Sequence, residues 1–209
     1  MGTKDFNALD LFICRWRSRI IRRFIQPGST VMDFGCGHQA LFLQSVKDHI
    51  KLGIGLDYDA APARPAPNLE IQQFHFKDRF AFPDRHFDQV TILAVLEHIP
   101  PDQVGILFRE FHRILKPGGQ VLLTTPTPAS KPLLEFLAFK LKIISGPEIA
   151  DHKHYYSRAD IHALAAAQGF ACTAYETFQL GLNSFAALTR RASPGGGSDD
   201  AALVRNGCS

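Results

Sequence analysis

Val31-Met32-Asp33-Phe34-Gly35-Cys36-Gly37 is the stretch on which the fold turns. A short apolar run carries one acid near its end, and two glycines follow one residue apart. Glycine reaches backbone angles closed to other residues, so this spacing reads as a strand turning sharply into a helix. The missing side chains at Gly35 and Gly37 also let a ligand approach the backbone, as in nucleotide-binding α/β proteins. The same rhythm continues outward. Residues 30–34 read as the first strand, 38–48 as a helix, 52–57 as the second strand and 69–74 as the third. Pro62, Pro65 and Pro67 mark the intervening stretch as a loop. Residues 87–94 are nearly all apolar after Asp88, as expected of a fourth strand buried on both faces. A helix over 101–115 stops at Lys116-Pro117-Gly118-Gly119, and a fifth strand follows at 120–125. Ser157-Arg158-Ala159-Asp160 resembles a capping box and opens a helix over 157–168; strands at 171–177 and 185–189 follow. Strands alternating with helices predict an α/β protein, a doubly wound and mostly parallel sheet with helices on both faces.

Outside this core, residues 1–29 form an N-terminal basic amphipathic segment. Leu9, Phe12, Ile13, Trp16, Ile20, Ile21 and Phe24 recur at helical spacing over 5–25, with Arg15, Arg17, Arg19, Arg22 and Arg23 among them. One domain over 30–190 carries a substrate-side insert or lid at 126–156, and the Gly- and Ser-rich 191–209 reads as a disordered tail. The chain has 209 residues, enough for a real core, and a net charge of only +3, which argues against a dedicated nucleic-acid binder. Four widely spaced cysteines, Cys14, Cys36, Cys172 and Cys208, read as reduced thiols, and there is no zinc-site spacing. The opening residues show no signal-peptide pattern, and no uncharged apolar run reaches the roughly 20 residues that span a bilayer. A cytoplasmic protein is expected.

Asp33 and Asp57 narrow the ligand. A carboxylate immediately before the glycine turn repels a pyrophosphate but suits an ammonium or a ribose hydroxyl. Asp57 ends the second strand 20 residues beyond Gly37, at the carboxyl edge where such sheets bind ligands. A nucleoside with a cationic end and no phosphate fits both, which points to S-adenosylmethionine (SAM). The alternative at these residues is a tight turn with a capping Asp, and Asp59 serves that turn equally well. A second alternative is a dinucleotide, since Gly35-Cys36-Gly37-His38-Gln39-Ala40 formally satisfies GxGxxG/A.

Further segments carry a family resemblance. VMDFGCG, GLDYD, AFPDRHFDQVTILAVLEHI and ILKPGGQVLLTTP follow one another over about residues 30–125. In that order and spacing they resemble class I SAM-dependent methyltransferases, especially the small-molecule group called type 11; the later DHKHYYSRADIHALAAAQGF resembles the family's segment before strand six. The resemblance implies a Rossmann-like sheet of seven strands, the last antiparallel between five and six. It implies SAM across strands one, two and four, with Gly35, Cys36 and Gly37 along the methionine part and Asp33 near its ammonium. Asp57 would bind the ribose, with Tyr58 beside it, and Ala94, with its neighbours Leu93 and Val95, would line the methionine and sulfonium. Asp78 is the candidate for the adenine amino group, although direct counting back from Phe87-Asp88 lands on Phe76. Gln39 stands where many members carry a third glycine, and Ala40 is small enough for that packing role.

The candidate general bases are His98, His152 and His154, with Tyr155 and Tyr156 as substrate contacts. His98 follows strand four; its alternative is a structural loop histidine. The Asp151–Tyr155 loop has a plain solvated reading too, and His-x-His with Asp151 does not define a metal site, so none is expected. Residues 132–144 are almost uniformly apolar: a lid, a lipid-facing surface, a homodimer face or a buried helix. With the arginine-rich first helix they raise peripheral contact with the inner membrane face. The expected reaction is methyl transfer to an oxygen, less readily a nitrogen or carbon, of a small or lipid-linked acceptor such as a sugar or quinone precursor. An NAD-dependent oxidoreductase and a non-catalytic SAM-fold binding protein are the competing readings.

Overall fold

The computed structural model describes residues 16–132 and 153–192. Residues 16–22 are helical (α1). Then come β1 (Thr30–Phe34), α2 (Leu41–Val46), β2 (Leu52–Asp57), β3 (Ala63–Ala66), β4 (Leu69–Gln73) and β5 (Phe87–Leu93). A 3-10 turn at Leu96–His98 leads to α3 (Pro101–Ile114), β6 (Leu115–Pro126), α4 (Arg158–Ala167), β7 (Phe170–Phe178) and β8 (Asn183–Arg190). The strands form one sheet in the order β3-β4-β2-β1-β5-β6-β8-β7. β4, β2, β1, β5 and β6 are mutually parallel, so their carboxyl ends share one edge. β8 runs antiparallel between β6 and β7.

Alternation along the strands builds two cores, one on each face. Met32, Phe34, Val121, Leu123, Ala186 and Leu188 face one side. There they meet Val104, Leu107, Phe108, Phe111 and Ile114, a stripe of helical period on α3, and Ile161 and Ala165 of α4. Val31, Leu122, Phe185 and Ala187 face the other side, with Ile21 of α1 and Phe42, Leu43 and Val46 of α2.

The first two strands match expectation residue for residue, and Ser157 caps α4 in a capping box with Asp160. Among the described residues the sheet has eight strands, not seven. The extra one is the proline-bearing 63–66, read as loop from sequence, which pairs antiparallel with β4 at the sheet's outer edge. An edge strand has a free side on which proline's missing N–H costs no ladder bond. The helix expected over 38–48 is confined to Leu41–Val46, because Gly37 (φ 69°) and Ala40 (φ 43°) hold left-handed angles before it. The first helix ends at residue 22, not 25. The start of that helix, most of the apolar insert, Asp151, His152 and most of the tail lie outside the described residues.

Candidate functional site

Three strand ends supply the centre of the site. β1 delivers Asp33 and the glycine turn, β2 delivers Asp57 and Tyr58, and β5 delivers Ala94. Gly35 turns at φ 78°, and a Cβ there would meet Val95 Cγ2 at 2.3 Å, so only glycine fits. Gly37, at φ 69°, differs: a Cβ on it would meet nothing within 4 Å. Its face opens onto space in which a ligand can lie against the backbone.

The amides of this loop are largely committed. Gly35 N and Cys36 N donate to the Leu56 carbonyl at 2.7 and 3.2 Å, and Ala40 N donates to the Gly37 carbonyl at 3.2 Å. Gly37 N donates to Asp57 Oδ2 at 2.9 Å, and Asp59 N donates to Asp57 Oδ1 at 3.0 Å. Asp57, not Asp59, therefore caps the turn, and each carboxylate oxygen keeps lone pairs for further donors such as hydroxyls. A pyrophosphate needs free amides at a helix start. Here those amides already face protein acceptors, which disfavours the dinucleotide alternative.

Asp33 is 2% exposed and accepts a 2.6 Å bond from Thr91 Oγ1 on the neighbouring β5. Burial pushes its carboxyl up to about 7; the Thr91 bond lowers it, and the charge of Asp57 raises it further. Two carboxylates that repel one another, one of them deeply buried, form a site that a cationic ligand relieves. Cys36 is half-buried; burial and the same two acids push its thiol up, so it stays protonated. Its Sγ packs where a Cβ on Gly55 would otherwise stand.

Ala94 holds a left-handed angle, φ 56°, immediately after β5, with its N–H bonded to the Thr124 carbonyl at 2.9 Å. A non-glycine residue at such an angle is uncommon and concentrates at functional sites. Tyr58 is exposed, its ring 4.1 Å from that of His75 beyond β4. Asp78 is exposed in the loop after β4. Phe76, where direct counting pointed, packs edge-on against Phe34 at 6.1 Å. That end of the site is aromatic, with Phe80 buried behind it.

On the other side of Ala94, His98 is half-buried in the 3-10 turn. Glu97 beside it is buried, and its carbonyl accepts from Lys153 N at 2.7 Å, which draws residues 153–156 to the end of β5. His154 is exposed, its ring 4.6 Å from that of Tyr156 and its Nε2 4.0 Å from Asp160. Tyr155 is half-buried with Lys131 Nζ 6.0 Å above its ring. Tyr156 is buried in the same core cluster as Ile161, so of the two tyrosines Tyr155 is the one presented outward. Asp33, Gly35, Cys36, Gly37, Asp57, Tyr58 and Ala94 thus share one edge, with His98 and His154 beside it.

Sequence reasoning missed Thr91 and His75. A polar residue inside a largely apolar strand was the available signal for Thr91; His75 gave none. No group of three or more metal-ligating side chains gathers among the described residues.

A family model described as "Methyltransferase domain" matches residues 8–175. Over 106 residues the chain is 32% identical to a ubiquinone biosynthesis O-methyltransferase of Pseudomonas paraeruginosa, covering 47% of this chain and 44% of the relative. Over 117 residues it is 30% identical to a demethylmenaquinone methyltransferase of Lysinibacillus sphaericus, 51% and 49% of the two chains. The chain spans about half the length of the curated relatives it matches. Among solved structures, an S-adenosylmethionine-dependent methyltransferase of Mesorhizobium loti superposes with a TM-score of 0.64 at 18% identity, over 82% of this chain and 96% of that one. Matched over most of its length, the chain belongs to the methyltransferase-domain family.

Proposed function

We propose that this protein is a SAM-dependent methyltransferase acting on an oxygen of a quinone precursor. The observation that carries the cofactor is the pair Asp33 and Asp57 around the open face of Gly37, with the loop amides already bonded to protein. Asp33 would face the ammonium, Asp57 would accept the ribose hydroxyls, and Ala94 would line the methionine. When bound, SAM supplies an electrophilic methyl on a sulfonium, so the protein's main task is to align an acceptor oxygen with it. His98, His154 and, outside the described residues, His152 are the candidates to take the acceptor's proton. Tyr155 is the candidate acceptor contact.

The names of the curated relatives support the acceptor class. Trp16 and Leu180, two of the large apolar side chains left exposed, suit a lipid-linked acceptor or a membrane surface. Leu180 tips the β7–β8 hairpin beside the end of β6, where Thr127 Oγ1 donates to the Gly181 carbonyl at 2.7 Å. No helix among the described residues is long and apolar enough to cross a membrane. The homodimer face expected of the apolar insert rests on residues outside the described set.

Calorimetry with SAM, S-adenosylhomocysteine and NADH tests the cofactor. Micromolar binding of the first two with NADH silent is the expected result. NADH binding with SAM silent would overturn the assignment of Asp33. Transfer of labelled methyl to catechols with and without a prenyl tail, and to sugars, then tests the acceptor. SAM binding without any turnover would favour the non-catalytic reading.

A further inference from the structure

Glu97 is a buried carboxylate outside the cofactor contacts proposed above. It is 2% exposed, three residues beyond Ala94, in the 3-10 turn that follows β5. A buried carboxylate is costly unless its surroundings compensate. From β6, Thr125 Oγ1 donates to Glu97 Oε2 at 3.2 Å. From the segment before α4, Lys153 N donates to the Glu97 carbonyl at 2.7 Å, with His154 N at 3.4 Å. Burial pushes the carboxyl above the usual range, while His98 in the same turn and Arg17 of α1 pull it back. The buried Tyr156 phenol feels the charge as well: burial raises its pKa first, and Glu97 and Asp160 add to the rise. β6 therefore meets the side chain of Glu97 and the 153–156 segment meets its main chain, both just beyond the end of β5.

We propose that Glu97 is the positioning residue of the acceptor side: its carboxylate fastens Thr125 and offers a charge that Arg17 of α1 offsets, and its turn fastens the segment bearing His154 and Tyr155. What the held surface binds rests on the methyltransferase reading; the holding itself does not. Ionised Glu97 is the form that Arg17 attracts, so that attraction weakens as pH falls and the carboxyl takes up its proton.

The full chain provides its own reporter, because Trp16, next to Arg17, is the only tryptophan. Glu97→Gln keeps the size and an acceptor for Thr125 but removes the charge; Thr125→Val removes that partner alone. Three quantities are measured for the wild type and both variants: Trp16 emission and acrylamide quenching, SAM affinity, and methylation of a prenylated catechol from about pH 6 to about pH 9. In Glu97→Gln, Trp16 quenching should rise about twofold and acceptor KM about tenfold, with SAM affinity within about twofold. The acid limb of wild-type kcat/KM should flatten in Glu97→Gln, a change that a merely structural role would not produce. Thr125→Val should move quenching and KM the same way by less, and it carries the test should Glu97→Gln fail to fold. Unchanged quenching, unchanged KM, or SAM affinity lost in step with the acceptor would overturn the proposal. A wild type that turns over no catechol, with quenching still raised in Glu97→Gln, would overturn the acceptor reading and leave the fastening role standing.

Discussion

Asp33→Asn should stabilise the ligand-free protein at alkaline pH and weaken its hold on SAM. The carboxyl rises from 3.8 in the unfolded chain to about 7 in the fold, chiefly through burial. Between those values the folded state binds more protons than the unfolded state, so stability falls as pH rises through this window. At 1.36 kcal/mol per unit, keeping Asp33 ionised costs the empty fold about 4 kcal/mol above pH 7, of which about 2 to 3 kcal/mol accrues between pH 5 and pH 8. Asparagine keeps an oxygen for the Thr91 hydroxyl but adds an amide N–H₂, and leaving that group unpaired costs about 1 to 3 kcal/mol. Urea unfolding of both proteins across that range should show the stability difference moving by about 2 to 3 kcal/mol in favour of Asp33→Asn as pH rises. SAM affinity at about pH 8 should drop roughly 10- to 100-fold with the loss of one charge-assisted contact. A stability difference that does not change with pH would refute the buried-acid account, and unaltered SAM affinity would refute the ammonium role.

Thr91→Val removes the bond that lowers the Asp33 pKa, so SAM binding should weaken several-fold near pH 7 and recover near pH 9. A deficit equal at both pH values would mean that Thr91 acts otherwise. Gly35→Ala forces a Cβ into Val95 at a left-handed angle and should lower stability by about 2 to 4 kcal/mol, whereas Gly37→Ala meets only the angular strain of about 1 to 2 kcal/mol. Gly37→Ala should instead lose SAM affinity, measured calorimetrically, because its new methyl enters the ligand's space. Asp57→Ala should weaken SAM binding several-fold while the protein still melts cooperatively; it also orphans the Gly37 and Asp59 amides, so some loss of stability accompanies it. Replacing His152 or His154 by Ala should cut turnover about 100-fold with SAM affinity held within about twofold, if that loop carries the base. Wild-type turnover in both variants would move the base to His98 or remove the need for one.

What could be read from sequence divides along physical lines. β1 and β2 were legible to the residue because each apolar run ends in an acid before a turn, a signal contained within the segment itself. β3 was not, since three prolines read locally as loop; only the pairing of 63–66 with β4 at an outer edge makes it a strand. α2 was overextended because the apolar pattern says where a helix fits, whereas left-handed Gly37 and Ala40 decide where it starts. Asp33 was found, but Thr91 was not: parallel strands set side by side residues 58 apart, and nothing in either stretch names the other.

The acceptor side remained less legible for a deeper reason. Cofactor residues sit at strand ends, whose place in a doubly wound sheet follows from topology alone. His154 and Tyr155 arrive on a connecting segment, and that segment meets the sheet edge at the carbonyl of Glu97, a buried polar residue whose carboxylate accepts from Thr125 of β6. The LEHI motif marks Glu97 in the chain but names none of its partners. Its meaning exists only once the fold has assembled the groups that satisfy it, so the substrate side of this protein is encoded in tertiary satisfaction rather than in local pattern.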